Sequence, residues 1–330
     1  PTPTQTPTRL KTRTPTPTST FLPSPTAQLT EVGSILTPIL TPASPPIPTT
    51  VGGGEEIISF AVIENKLAQV YVVNLDGSNP RPVTNEIRGA CNFDWSPDRK
   101  KLVYVSPCNA KAAQYPDSGL YILDLASGLS TALLEKASGE FDPAWSPDGT
   151  KIAFTSMRDG TWQIYVFDLT TSTLTQLTTP EGNLQSRYPA WSPAGTQLVY
   201  TVRKLGALQI WVMNSDGSEK KRLVTSANTL SDYLPVWSPD GTFILFSQTN
   251  FDLTAPSVLM RYNFGMERAE RFSIVEPPIV DVSFSPDGIW IAYETTDGSN
   301  QDIYLLNLLD GTKQRLTNSP NIEFDPVWVP

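Results

Sequence analysis

Acidic side chains recur three residues before a repeated Trp or Phe, and they are the residues of this sequence best suited to chemistry. Asp142, Asp281 and Asp325 stand at that position in three copies of the repeat, and Asn92 stands there in a fourth. Carboxylate and amide oxygens that converge on one point favour a hard cation or the cationic group of a ligand. The alternative is that each carboxylate accepts hydrogen bonds from backbone in its own repeat and only stabilises the fold.

Three more residues belong to the same candidate site. Tyr188 takes the acidic position in another copy, whereas Arg187 and Tyr233 stand one residue earlier in their copies. We therefore predict a binding site, not a catalytic one, formed by Asn92, Asp142, Arg187, Tyr188, Tyr233, Asp281 and Asp325. No resident metal or cofactor is predicted, although the oxygen ligands leave calcium at this site open as an alternative.

The composition excludes several classes of catalytic site. The 330 residues include no histidine and two cysteines, which rules out His-activated nucleophiles, His-ligated metals and four-cysteine metal sites. The net charge of −9 argues against a nucleic-acid-binding protein, which normally carries a basic patch. The sequence contains no run of about 18 apolar residues, so no membrane span is predicted in this chain.

A segment close to Trp-Ser-Pro-Asp-Gly must position these residues, because it recurs along the chain at a nearly constant interval. Its aromatic residues are Trp95, Trp145, Trp191, Trp237, Phe284 and Trp328, at spacings of 50, 46, 46, 47 and 44 residues. An apolar run follows the segment in the repeats, for example Ile164-Tyr-Val-Phe-Asp168. Such a run indicates a strand that enters a hairpin. A period of about 40 to 50 residues built from strands is typical of β-propellers.

The repeats predict an all-β fold, a six-bladed propeller with four antiparallel strands in each blade. The first blade lacks an inner strand, whereas residues 324–328 form an inner strand without a blade of their own. We therefore expect the C-terminal strand to join the first blade and close the ring, which removes two exposed strand edges. The repeated Trp and Phe side chains are expected to pack between blades as structural residues.

The repeat, W-S-P-D-G followed by I-Y-V-x-D, resembles that of TolB-type six-bladed propellers, a WD-like repeat family. The resemblance covers about residues 55–330. It implies a propeller of the bacterial cell envelope that binds or scaffolds other molecules. The residues before the propeller do not resemble the amino-terminal α/β domain that TolB carries.

The beginning of the chain differs in composition from the rest. Residues 1–50 include 12 Pro and 15 Thr, too little apolar surface to offset the entropy of ordering the chain. We predict a disordered Pro/Thr-rich linker or stalk over residues 1–54 and the propeller over residues 55–330. Because the chain begins with Pro1 rather than Met, any leader or anchor is expected upstream of this sequence.

The two cysteines flank a predicted hairpin. Cys91 precedes the inner strand of the second blade and Cys108 follows its second strand, so the two side chains should lie nearly opposite each other. We predict a disulfide, which suits an oxidising compartment. Two unrelated reduced thiols are the alternative.

Together these features predict a monomeric, non-catalytic binding or scaffold propeller outside the cytoplasm, in the periplasm, on the cell surface or secreted. Its loop face and channel mouth would recognise a protein, peptide or glycan, because a rigid ring holds the loops of six blades around one axis. Two alternatives stay open. One is a carboxylate-dependent glycoside hydrolase or lyase, and the other is the sensory ectodomain of a membrane receptor kinase.

Overall fold

A computed structural model describes residues 57–108, 117–227, 229–272, 278–297 and 300–330, which form 24 strands. The strands make six four-stranded sheets, and the paired neighbours in them are antiparallel. This confirms the predicted six-bladed, all-β propeller. The predicted stalk, residues 1–54, lies outside the described residues, and its boundary with the propeller stays a prediction.

Each blade is described from its inner strand at the central channel to its outer strand. Blade 1 consists of β24 (Ile322–Trp328), β1 (Ile57–Glu64), β2 (Leu67–Asn74) and β3 (Arg81–Pro82). Blade 2 consists of β4 (Cys91–Trp95), β5 (Lys101–Ser106), β6 (Gly119–Asp124) and β7 (Leu129–Ala132). Blade 3 consists of β8 (Glu140–Trp145), β9 (Lys151–Ser156), β10 (Gln163–Asp168) and β11 (Thr173–Gln176).

The second half of the ring repeats this order. Blade 4 consists of β12 (Gln185–Trp191), β13 (Gln197–Lys204), β14 (Ala207–Asn214) and β15 (Lys221–Arg222), and a 3-10 turn, Glu181–Asn183, precedes it. Blade 5 consists of β16 (Leu230–Trp237), β17 (Phe243–Asn250), β18 (Val258–Asn263) and β19 (Arg268–Arg271). Blade 6 consists of β20 (Val282–Phe284), β21 (Trp290–Asp297), β22 (Asn300–Asn307) and β23 (Lys313–Arg315).

Blade 1 joins strands that are far apart in the sequence. β24 pairs with β1, so that Trp328 lies opposite Ile58 and Ile322 lies opposite Ile63. The predicted closure of the ring by the C-terminal strand is therefore confirmed. Within the described part of the chain, no helix is long and apolar enough to cross a membrane.

The apolar core formed by the described residues is divided among the junctions between blades. Six buried clusters each combine side chains of two adjacent blades. The repeated aromatic residues are all buried. The indole N–H groups of Trp191 and Trp237 donate to the carbonyl oxygens of Ala144 and Ala190, which lie in the inner strand of the preceding blade, at 3.1 and 3.2 Å. These side chains therefore connect neighbouring blades.

The Ser-Pro-Asp-Gly segment forms the corner between inner and second strands. In blade 3, Ser146 Oγ donates to Asp148 Oδ1 at 2.6 Å, and the Thr150 N–H donates to the same oxygen at 3.0 Å. Gly149 has a φ of 71°, where other residues are strained, and a Cβ there would lie 3.6 Å from Pro97 of the preceding blade. The segment thus recurs because each corner needs a tight turn, a side-chain cap and a close contact with the next corner.

Candidate functional site

A bulge bends the inner strand of five blades at the position that carries the predicted site residues. The strand register shifts three residues before the repeated aromatic residue in blades 1 to 5. The residues at the shift have φ between 42° and 55°, in the left-handed region, and they are Asn92, Asp142, Tyr188, Leu234 and Asp325. This conformation costs a residue with a side chain about 1 to 2 kcal/mol. Bulges re-aim side chains, and here they turn these residues toward the channel.

The central channel opens into a cavity of about 860 Å³. Six predicted site residues line it, namely Asn92, Asp142, Arg187, Tyr188, Asp281 and Asp325. Tyr233 is not among the lining residues, and its hydroxyl shares a 2.6 Å hydrogen bond with that of Ser257. The repeat therefore places residues of distant sequence around one mouth, whose two sides differ in charge.

One side of the mouth, which we call the paired wall, is formed by Asp142, Arg187 and Tyr188, and Trp162 lies next to Arg187 outside the channel lining. The Arg187 guanidinium donates from Nε and Nη2 to the two Asp142 oxygens, at 3.1 and 3.2 Å. The hydroxyl of Thr155 donates to the same carboxylate at 2.8 Å. Arg187 also lies between two aromatic rings, 4.6 Å from the Trp162 centroid and 4.5 Å from the Tyr188 centroid. A planar guanidinium suits this combination of a forked ion pair and stacking, so the charge of Asp142 is balanced within the protein.

The opposite side, which we call the carboxylate wall, is formed by Asn92, Asp281, Glu294 and Asp325. The backbone N–H and the side-chain amide of Asn92 both donate to Asp325 Oδ2, at 3.2 and 3.0 Å. The Asp325 N–H donates to Glu294 Oε2 at 3.2 Å, and the Val282 N–H donates to Asp281 Oδ1 at 2.8 Å. Among the described residues, none of these three carboxylates has a Lys or Arg as an ion-pair partner.

Burial without a counter-charge makes the acids of the carboxylate wall hard to ionise. Burial, followed by the charges of Asp325 and Asp142, raises the pKa of Asp281 to about 7. Burial, followed by the charges of Asp325 and Asp281, raises the pKa of Glu294 to about 8. Burial raises the pKa of Asp325 to about 6, and the hydrogen bonds from Asn92 oppose that rise. The wall is therefore partly protonated near neutral pH, and a cation placed there would favour the charged forms.

Glu294 is a site residue that the sequence prediction missed. It lies in a second strand, β21, at a position where the second strands of blades 3, 4 and 5 have Thr155, Thr201 and Ser247. An acidic residue directly after the apolar run of residues 290–293, where other blades have a small hydroxyl, was the available signal. Comparing second strands, as well as inner strands, across the repeats would have found it.

The two cysteines form a disulfide beside the carboxylate wall. Cys91 and Cys108 are bonded, with their Cα atoms 5.9 Å apart, and both line the cavity. Cys91 immediately precedes Asn92, so the disulfide fixes the strand that donates to Asp325. Among the described residues, no group of three or more His, Cys, Asp or Glu side chains is arranged to hold a metal ion. Calcium binding at the mouth stays a prediction that calorimetric titration with calcium chloride tests.

The chain is similar to known proteins in family, sequence and fold. A family model described as the TolB beta propeller domain matches residues 57–273. The Tol-Pal system protein TolB of Ruthia magnifica subsp. Calyptogena magnifica is 28% identical over 116 residues, which is 34% of this chain and 25% of that protein. The match thus spans a quarter of that relative's length.

Two solved structures illustrate the likeness in fold. TolB from Acinetobacter baumannii superposes with a TM-score of 0.70 at 21% identity, covering 84% of this chain and 68% of that one. An oligogalacturonate lyase in complex with manganese superposes with a TM-score of 0.57 at 17% identity, covering 80% of this chain and 74% of that one. At these identities the likeness shows a shared architecture and leaves function to the residues of the mouth.

Proposed function

The chain belongs to the TolB β-propeller family, and from this premise we propose that it is a non-catalytic binding protein that works outside the cytoplasm. Its ligand is a protein or peptide that the channel mouth and the surrounding loops recognise. The disulfide between Cys91 and Cys108 supports this location, because disulfides persist mainly in oxidising compartments. The resemblance to TolB-type propellers supports a bacterial cell-envelope setting.

The unpaired charge of the carboxylate wall is the observation that carries the proposal. Asp281, Glu294 and Asp325 lie together in the cavity. Their pKa values are raised because they are buried and no positively charged side chain among the described residues pairs with them. A cationic group that enters the mouth would supply the positive charge and would gain the attraction of several carboxylates. Lysine, arginine and the amino terminus are the cationic groups of proteins. A peptide segment with such a group is therefore better matched to the wall than a neutral glycan.

The paired wall makes the other side of the mouth nearly neutral. Because Asp142 and Arg187 neutralise each other, that side offers a ligand little net charge. A cation would therefore be drawn to one side of the channel, which orients the segment that carries it. Asymmetry of this kind favours one ligand direction over its reverse.

Peptide binding with and without the carboxylate wall tests the proposal. Random linear peptides displayed on phage would be selected on the intact chain, and lysine-containing peptides from the selection titrated into it by calorimetry. We expect the double variant Asp281→Asn, Asp325→Asn to bind them about tenfold more weakly or worse, a loss of about 1.4 kcal/mol. Replacing the peptide lysine by glutamine should weaken binding to the parent and leave binding to the double variant nearly unchanged.

A matched control separates the wall from the overall charge of the protein. The variant Asp216→Asn, Asp310→Asn removes the same charge from two exposed turns and should bind like the parent. Equal affinity of the parent and the wall variant would contradict the proposal. Near-ultraviolet circular dichroism of each variant confirms that the ring is folded.

A carbohydrate-active enzyme is a second candidate, favoured by the raised pKa values of Asp281 and Glu294 inside a channel. A general acid of a glycoside hydrolase also needs a raised pKa. Under the binding proposal, oligogalacturonate and other acidic oligosaccharides should remain uncleaved after long incubation. Cleavage by the parent that disappears in Glu294→Gln would replace binding with catalysis as the function.

A further inference from the structure

A second cavity lies beside the channel mouth, and we call it the side pocket. It has a volume of about 430 Å³, in the range of ligand-binding pockets. Arg187 and Tyr188 line both cavities. The apolar lining consists mainly of Trp162, Tyr188, Leu208, Phe251 and Leu253.

Large apolar side chains are exposed at the rim of the side pocket. Leu205 is 94% exposed, Leu253 56% and Phe251 44%. Gly206, with a φ of 91°, allows the Phe251 ring to cover its turn, since a Cβ there would lie 2.7 Å from Phe251 Cζ. The rim is thus built by specific contact between loops of blades 4 and 5, and clustered exposed apolar residues of this kind mark interaction sites.

A buried hydroxyl in the lining lacks the partner that its counterpart in the preceding blade has. Thr201 is 1% exposed, and its Oγ1 has no hydrogen-bond partner among the described residues. Thr155, at the same position of blade 3, donates to Asp142. Blade 4 has Tyr188 where blade 3 has that carboxylate, so Thr201 is left without it. A buried polar group of this kind costs stability unless something else satisfies it.

The charge beside the pocket is positive, opposite to that of the carboxylate wall. Arg203 lines the pocket, Lys204 follows it, and both are exposed. Neither has an ion-pair partner among the described residues. Asp252, also in the lining, accepts hydrogen bonds from the backbone and side chain of Thr254 and so holds its own turn. The pocket therefore complements an anion next to an apolar group.

We propose that the side pocket binds an aromatic side chain of the peptide ligand, with an adjacent Asp or Glu of that ligand at Arg203. The rings of Trp162, Tyr188 and Phe251 form its aromatic walls. The hydroxyl of Thr201 hydrogen-bonds the ligand at the base of the pocket. The inference rests on the proposed function, because the same peptide places its cationic group at the carboxylate wall.

The selected peptides supply the test. Sequences from the phage selection should be enriched in an aromatic residue next to Asp or Glu, in addition to a cationic residue. A synthetic peptide of the most enriched sequence should bind Phe251→Ala and Arg203→Glu about tenfold more weakly than the parent. Met266→Ala, which also truncates an exposed apolar side chain, and Arg81→Glu, which makes the same charge reversal, lie outside the pocket and should leave affinity unchanged.

Two further measurements distinguish a specific contact with the peptide from a general loss of binding. A peptide with Lys in place of its acidic residue should recover affinity for Arg203→Glu. Thr201→Val, which has nearly the same shape, should raise the midpoint of urea unfolding of the free protein yet weaken peptide binding several-fold, about threefold or more. A purely structural hydroxyl would change the unfolding midpoint alone.

Failure of this inference differs from failure of the proposed function. If peptides bind through the carboxylate wall but are insensitive to Phe251→Ala and Arg203→Glu, the side-pocket inference is wrong and the proposed function stands. If no peptide is selected, both are wrong. Concentration-dependent self-association that Leu205→Asp abolishes would assign the rim to a second copy of this chain and overturn the inference.

Discussion

The paired wall and the carboxylate wall have the same origin in the repeat but opposite electrostatics. Asp142 and Asp325 occupy equivalent bulges with nearly the same φ, 52° and 51°. The difference arises one blade later, where blade 4 places Arg187 against Asp142 and blade 2 places Asn92 against Asp325. A guanidinium balances the first carboxylate, whereas an amide only donates hydrogen bonds to the second. The neighbouring blade thus decides whether an acid at this position is structural or available to a ligand.

Removing the guanidinium of the paired wall should have the largest effect. Arg187→Met leaves Asp142 buried without its counter-charge, and breaking a buried ion pair costs about 3 to 5 kcal/mol. The free energy of unfolding, measured in urea at neutral pH, should fall by about that amount. Arg81→Met, at an exposed position of β3, serves as the control and should cost little. A loss below about 1 kcal/mol for Arg187→Met would show that the pair contributes little to the fold.

Removing the disulfide, which lies beside the carboxylate wall, should cause the second largest loss of stability. The variant Cys91→Ser, Cys108→Ser frees a segment closed over a separation of 17 residues, which corresponds to about 3 kcal/mol in the chain-entropy account. Thermal unfolding should occur at a lower temperature, and reductant should lower the parent to the same midpoint. If reductant destabilises parent and variant equally, the disulfide is not the cause.

The dependence of stability on pH should distinguish the two walls directly. The acids of the carboxylate wall have pKa values in the folded protein of about 6 to 8, above their values near 4 in an unfolded chain. Between these limits the folded state binds more protons than the unfolded state, so stability rises as the pH falls from about 8 to about 5. Each acid adds about 1.4 kcal/mol to the free energy of unfolding for every pH unit below its folded pKa within that window.

Variants of single acids show which wall produces that slope. Asp281→Asn should be more stable than the parent at pH about 8 and should flatten the curve. Asp142→Asn removes a carboxylate from the paired wall and should lower stability, and it should change the slope less than Asp281→Asn does, because the charge of Asp142 is a lesser cause of the raised pKa values. An identical slope in Asp281→Asn and the parent would locate the titrating groups elsewhere.

The smallest effect is expected at a ring position that belongs to neither wall. Leu234 has a φ of 53°, a conformation that asparagine tolerates better than leucine. Leu234→Asn should therefore raise the free energy of unfolding slightly, by about 0.5 kcal/mol, despite some loss of apolar contact. Leu125→Asn, at a partly exposed residue without positive φ, should not raise it.

The repeat explains why the fold could be predicted while the electrostatics of the site could not. Trp95, Trp145 and their equivalents recur in register, and a first blade without an inner strand together with a last strand without a blade permits few other arrangements. The same alignment placed Asp142, Asp281 and Asp325 at the mouth. It did not predict that Arg187 would pair with Asp142, because that contact joins two blades and depends on a bulge absent from the strand pattern. Glu294 was missed because it reaches the mouth from a different strand.

Because β24 closes the ring, the ring can close only late in the synthesis of the chain. Asp325 lies on that strand, so the ribosome makes this acid of the carboxylate wall after the other 23 strands of the described residues have been synthesised. A nascent chain that has not reached residue 325 has neither a closed ring nor a complete mouth. The ring and its mouth therefore become complete only when synthesis reaches the end of β24.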